Sequence, residues 1–174
     1  VVGSRDASRE DLAFTKKLGE DAANQGYSIV SGGARGVDQT AMLGALDREG
    51  TAVGVLADSL LKSVTSSKYR KHIMSGDLAL ITPFNPEAGF NVGNAMSRNQ
   101  YIYCLADAAV VVSSTPEKGG TWNGAIEGLK AKWVPLWVVN NTNKKSGNSE
   151  LHRRGAELFP ETSGSLAILL SGSQ

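Results

Sequence analysis

Short apolar runs alternate with longer stretches of helical spacing along almost the whole chain, and that alternation restricts the fold more than any other feature. Residues 27–30, 52–56, 78–82, 108–112 and 134–139 are rich in Val, Ile and Leu. Each run predicts a strand buried on both faces. Between them, residues 8–25, 36–48, 65–74, 95–106 and 122–132 space their apolar side chains as helices do. Strands separated by helices pair in parallel through right-handed crossovers, with helices on both faces. The expected fold class is therefore α/β and doubly wound, with a mainly parallel sheet. Ligands in such folds sit beyond the carboxyl ends of the strands, so the turns after strands are where function is expected. A length of 174 residues with 41% hydrophobic content suits one domain spanning residues 1–174. Val1-Val2-Gly3 reads as the tail of a strand whose beginning is missing. Residues 140–149 are the expected flexible loop, and the segment from Thr162 onward reads as a last helix or partly disordered tail.

Charge and cysteine content narrow the classes of function. Eighteen basic residues against seventeen acidic ones leave a net charge of +1, so attraction to polyanions has to be local. The single Cys104 cannot form an internal disulfide, and its apolar surroundings predict a buried, reduced thiol, which fits a cytoplasmic protein. No apolar stretch is long enough to span a bilayer, and no membrane partner is expected. The two histidines have no neighbouring cysteine, so neither a zinc site nor another metal is expected, and no cofactor. The patterns G-x-S-x-G and G-x-x-x-x-G-K-[ST] are both missing.

Four turns at strand ends carry residues suited to anions. In the first, Gly3, Ser4 and Arg5 precede a helix that Asp6 or Ser8 can cap, combining close backbone approach, free amides and a fixed positive charge. The second runs through Ser31, Gly32, Gly33, Ala34, Arg35, Gly36, Val37 and Asp38. Its three glycines permit a concave nest of amides at a helix start, with Arg35 placed for a phosphodiester. Asp38 can meet a sugar hydroxyl, Arg35 or simply the helix dipole. In the third, Asn94 or Ser97 can cap a helix whose first turn then holds Arg98 and Asn99. Arginine opposes the dipole there, a cost that facing an anion would offset. The fourth sets Lys118, Gly119, Gly120 and Thr121 before Trp122, which serves either as a stacking platform or, more commonly, as a core residue. Of Tyr101 and Tyr103, at least one is expected in the core. Lys62, Lys68, Arg70 and Lys71, like Arg153 and Arg154, read as solvated helix faces.

Taken in order, the octet from Ser31 to Asp38, the triplet Ser97-Arg98-Asn99 and the stretch from Gly119 to Ala125 resemble the Rossmann-like domain of the DprA/Smf DNA-processing family. The likeness runs from Gly3 to about Val138. It implies a bacterial cytosolic protein that binds single-stranded DNA in a basic cleft, forms a homodimer and helps load the RecA recombinase in transformation or recombination. Gln100 stands where the family carries another arginine, and Gly119-Gly120-Thr121-Trp122-Asn123-Gly124-Ala125 replaces its usual Ser-Gly-Ser-Leu-x-Thr-Ala, so the branch is divergent. The wider superfamily includes LOG-type nucleotide phosphoribohydrolases with the signature P-G-G-x-G-T-x-x-E. Aligned on Gly120-Thr121, Gly124 falls where the catalytic glutamate belongs, and Glu127 lies three residues further on.

The resulting expectation is a binder of single-stranded DNA with no catalytic residues. Arg5, Arg35, Arg98 and Lys118 neutralise phosphates, glycine amides cradle them, and Trp122 or a tyrosine stacks a base. The rivals are a nucleotide sensor or LOG-like phosphoribohydrolase using the same cleft, and a dimerisation scaffold with vacant turns.

Overall fold

The computed structural model describes residues 1–140, 146–161 and 164–171. The first helix, α1 (Arg9–Asn24), begins where Ser8, not Asp6, caps it. The Ser8 hydroxyl accepts from the Asp11 amide and the Asp11 carboxylate accepts from the Ser8 amide, both at 3.1 Å. There follow β1 (Ile29–Ser31), α2 (Val37–Leu46), β2 (Ala52–Val55), α3 (Leu60–Val64), α4 (Ser67–Ser75) and β3 (Leu78–Ile81). The second half holds α5 (Val92–Cys104), β4 (Ala109–Val111), α6 (Gly119–Ala131), β5 (Leu136–Val138), α7 (Asn148–Arg153), β6 (Glu157–Leu158) and a 3-10 helix (Leu166–Leu170).

The strands form two parallel triplets, β1-β2-β3 and β4-β5-β6. The first two residues join them. The Val2 amide donates to Val110 O at 3.0 Å, the Val112 amide to Val2 O at 2.9 Å, and the Val1 nitrogen to Val30 O at 2.8 Å. The order across the molecule is therefore β3-β2-β1-Val2-β4-β5-β6, with the switch in winding direction at Val2. Side chains alternate between faces along each strand. Val110 and Trp137 join the core under α1 and α2, whereas Val111, Leu136 and Val138 join the core under α5, α6 and α7. Helices thus cover both faces, as the alternation of runs predicts.

The expectations for the run at 78–82 and for Cys104 fail for local reasons, and three short elements have no expected counterpart. The run at 78–82 is not buried on both faces: β3 has a neighbour on one side only, and Ala79 and Ile81 are exposed. Cys104 is exposed, because one step of the helix turns it away from the buried Ile102 and Tyr103. The elements α3, α7 and β6 are too short to show a period in sequence. Of the expected loop at 140–149, residues 141–145 lie outside the described residues and Asn148 opens α7; Thr162 also lies outside them, and the tail's 3-10 helix follows at Leu166. No helix among the described residues is long and apolar enough to cross a membrane.

Candidate functional site

A cavity of about 490 Å³ opens at the switch point, and all four turns reach it. Gly3, Ser4 and Arg5 come from the first, Ala34 and Asp38 from the second, Arg98 and Asn99 from the third, and Lys118, Gly119, Gly120 and Thr121 from the fourth. Ser31, Gly32, Gly33, Arg35, Gly36 and Trp122 do not line it.

The second turn does not hold an outside anion in its nest. The Asp38 carboxylate fills that place, accepting from the Gly32 amide at 3.1 Å and from the Ala34 amide. Gly33 O is taken by the Gln39 side chain, and the Ser31 hydroxyl donates to Val1 O. Asp38 is 6% exposed, and burial pushes its pKa up against the opposing pull of Arg98 and, more weakly, of the Val1 amino group; Arg35 is not its partner. Gly36, at φ 97°, caps α2 and sits so close to Ser4 O and Arg5 O that a Cβ would meet both at 3.2 Å. Arg35 is exposed beside it, outside the cavity wall.

The third turn departs most from expectation. Asn91, whose side chain accepts from the Asn94 amide at 3.1 Å, caps α5, so the helix begins earlier than Asn94 or Ser97 would start it. Arg98 consequently stands in the middle of the helix and is 6% exposed. Its Nη1 donates to Gly32 O and Val55 O, both at 2.6 Å, and its Nε donates to Asn99 Oδ1 at 3.0 Å. Asn99 Nδ2 in turn donates to Gly120 O at 2.9 Å. This pair ties the ends of β1 and β2 to the start of α6. Arg98 therefore organises the site from behind rather than presenting a free cation to solvent.

The fourth turn keeps its donors available. Lys118 is exposed, no side chain caps α6, and the first-turn amides of Gly119, Gly120 and Thr121 have no partner within the helix. Trp122 is the correction here. It is 5% exposed, buried against Gly147 with Arg154 stacked 5.8 Å away, so its ring is not a platform for a base. Phe90, which no sequence motif marks, is 55% exposed, lines the cavity and has the Arg5 guanidinium 5.1 Å from its ring centre. Only its place in a loop after two prolines hinted at exposure. Val92, Ala95, Met96 and Tyr103 complete the apolar part of the wall.

Comparison with known proteins matches this architecture. A family model described as DNA recombination-mediator protein A covers residues 1–169. The DNA processing protein DprA of Mycobacterium tuberculosis is 31% identical over 163 residues, which cover 91% of this chain and 41% of that protein. The chain thus spans about two fifths of that curated relative. The structure of DNA processing protein A from Streptococcus pneumoniae superposes with a TM-score of 0.75 at 19% identity, over 91% of this chain and 56% of the other. DNA processing protein A from Helicobacter pylori, a protein with a single-stranded DNA binding mode of its own, gives 0.73 at 25% identity, over 90% and 72% respectively.

Proposed function

The chain belongs to the DNA recombination-mediator protein A family, and on that premise we propose that the cavity and its rim bind single-stranded DNA. The observation that carries this reading is the meeting of Arg5, Lys118 and the uncapped amides of α6 around one cavity with an exposed aromatic, Phe90, at its lip. Two cations and a helix start suit successive phosphates, while an aromatic face accepts any base. Phe90 takes the stacking role that the sequence offered to Trp122 or a tyrosine. Residues 1–174 act in this reading as one cytoplasmic domain. A homodimer that hands single-stranded DNA to RecA is the corresponding assembly, supported by family membership alone.

The test is a titration of single-stranded against double-stranded oligonucleotides at low salt. Arg5→Ala combined with Lys118→Ala is expected to weaken single-strand binding by about tenfold or more, since each removes a charge-assisted contact. Failure of the wild type to bind, or indifference to the double substitution, overturns the proposal.

The cavity volume also suits one free nucleotide, which keeps a nucleotide sensor or phosphoribohydrolase as the second reading. Glu127 is exposed and outside the cavity wall, which leaves that chemistry without its expected base. Release of free base from nucleoside monophosphates would favour this alternative.

A further inference from the structure

We infer that the exposed face of α3 and α4 is a second DNA-contacting surface, which takes the phosphate backbone of a duplex adjoining the single strand in the cavity. The inference rests on the single-stranded DNA reading and adds the class of substrate, a junction between single and double strand. Residues 59–76 hold Lys62, Lys68, Arg70 and Lys71, four of the eighteen basic residues, and none of the seventeen acidic ones, which leaves the rest of the chain net negative. The net charge of +1 therefore conceals an uneven distribution. All four cations are exposed, and none is in an ion pair among the described residues; Lys68 only lies 5.0 Å from the ring centre of Tyr69. On α4, Tyr69 is buried and His72 and Ile73 are half-buried, so Lys71 stands on the opposite side with Lys68 and Arg70 on its flanks.

This helix backs onto the second turn. A Cβ at Gly33 would meet Leu56 Cδ2 at 2.8 Å and lie 4.0 Å from the Tyr69 hydroxyl, and the next residue, Ala34, lines the cavity. A strand leaving the cavity over this turn, with its exposed Arg35, reaches α4 next. The chemistry of the face selects a paired rather than an unpaired partner. Unpaired bases are held on stacking platforms, and the cavity has one in Phe90. The exposed residues of α3 and α4 include no aromatic ring, since Tyr69 is 4% exposed. Cations without a ring bind phosphates and leave the bases to pair with each other. The start of α4 adds donors of the same kind, because Ser66 makes no side-chain cap bond to its first amides. Continuity with a cavity that takes DNA favours a nucleic acid here over an acidic polypeptide.

The experiment compares a short thymidine strand, the same strand continued into a duplex at either end, and that duplex alone. The proteins are the wild type and a triple variant, Lys68→Ala with Arg70→Ala and Lys71→Ala. Alanine favours the helix and all three sites are exposed, so the thermal midpoint should stay within a few degrees of the wild type. The wild type is expected to bind one of the junctions about tenfold or more tighter than the single strand. The triple variant should lose that advantage and keep its single-strand affinity. Its log–log salt slope on the junction should be shallower by about 2.7, at about 0.9 per duplex phosphate. No junction advantage in the wild type overturns the inference, and so does an advantage that survives the triple substitution. Equal losses on single strand and junction overturn it as well, since the face would then meet the unpaired strand. Polyglutamate bound by this face in place of the duplex assigns it to an acidic protein and likewise overturns it. Each of these results leaves the cavity reading standing. Should the wild type fail to bind the single strand, the cavity reading falls and this inference falls with it.

Discussion

Removing the Arg98 guanidinium would strip Gly32 O, Val55 O and Asn99 Oδ1 of their donor and leave the Asp38 carboxyl buried without its main opposing charge. Breaking such a buried arrangement costs about 3–5 kcal/mol. For a chain of this size that corresponds to a fall of about 10 °C in Tm. The pH dependence has a definite sign. Asp38 has a folded pKa raised above its unfolded value, so its own contribution to stability is most favourable below the ordinary carboxylate range and declines as pH rises through the folded pKa. Arg98 holds that rise in check. Arg98→Ala is therefore expected to lower Tm more at pH 8 than at pH 5, and adding Asp38→Asn should flatten the difference. Equal deficits at both pH values would show that the two groups do not communicate. Arg98 was visible in the sequence as unusual, yet for the wrong reason: its meaning depends on carbonyls from two strands distant in sequence.

Among the elements, α7 packs Leu151 into the core and is hydrogen-bonded to the sheet through one side chain. Asn148 Nδ2 donates to Val112 O at 2.9 Å, Val139 O at 3.0 Å and Val111 O at 3.2 Å, while its Oδ1 accepts from Ser114 Oγ at 2.8 Å. These bonds close the carboxyl ends of β4 and β5, and β4 leads directly into the loop that carries Lys118. Asn148→Ala removes the side-chain donor from these carbonyls, of which Val111 O keeps the Val139 amide at 3.1 Å, and is expected to cost about 2–3 kcal/mol, read as a lower denaturant midpoint with an unchanged slope. Trp122→Ala should cost about 3–5 kcal/mol by opening a cavity in the core under α6. The milder Trp122→Phe should lower the midpoint while leaving oligonucleotide affinity intact. Loss of affinity in that variant would return Trp122 to the binding surface. Strand and helix order was legible from the runs themselves, since burial on two faces and one-sided burial leave different periods. The start of α5 was not, because Asn91, Asn94 and Ser97 are all competent caps and tertiary packing selects among them.

For the molecule as a whole, a net charge of +1 gives no general attraction to DNA, so binding has to reflect the few cations at the rim. Single-strand affinity should fall with salt with a log–log slope of about −0.7 per phosphate neutralised, hence roughly −1.4 for Arg5 and Lys118 together. Arg5→Ala with Lys118→Ala should remove about that much slope; a slope unaltered by the pair would place the phosphates elsewhere. The central position of Val2 between two triplets of strands brings this rim together. By itself the sequence determined the doubly wound α/β class, the order of most elements and the four turns that reach the cavity, because these follow from local periodicity and glycine placement. Only the tertiary structure decided which residues in those turns face a ligand. It put Asp38 into the nest, turned Arg98 inward, buried Trp122 and left Phe90 and Tyr103 on the cavity wall. Exposure and hydrogen-bond partnership depend on segments far apart in the chain, and no local pattern encodes them.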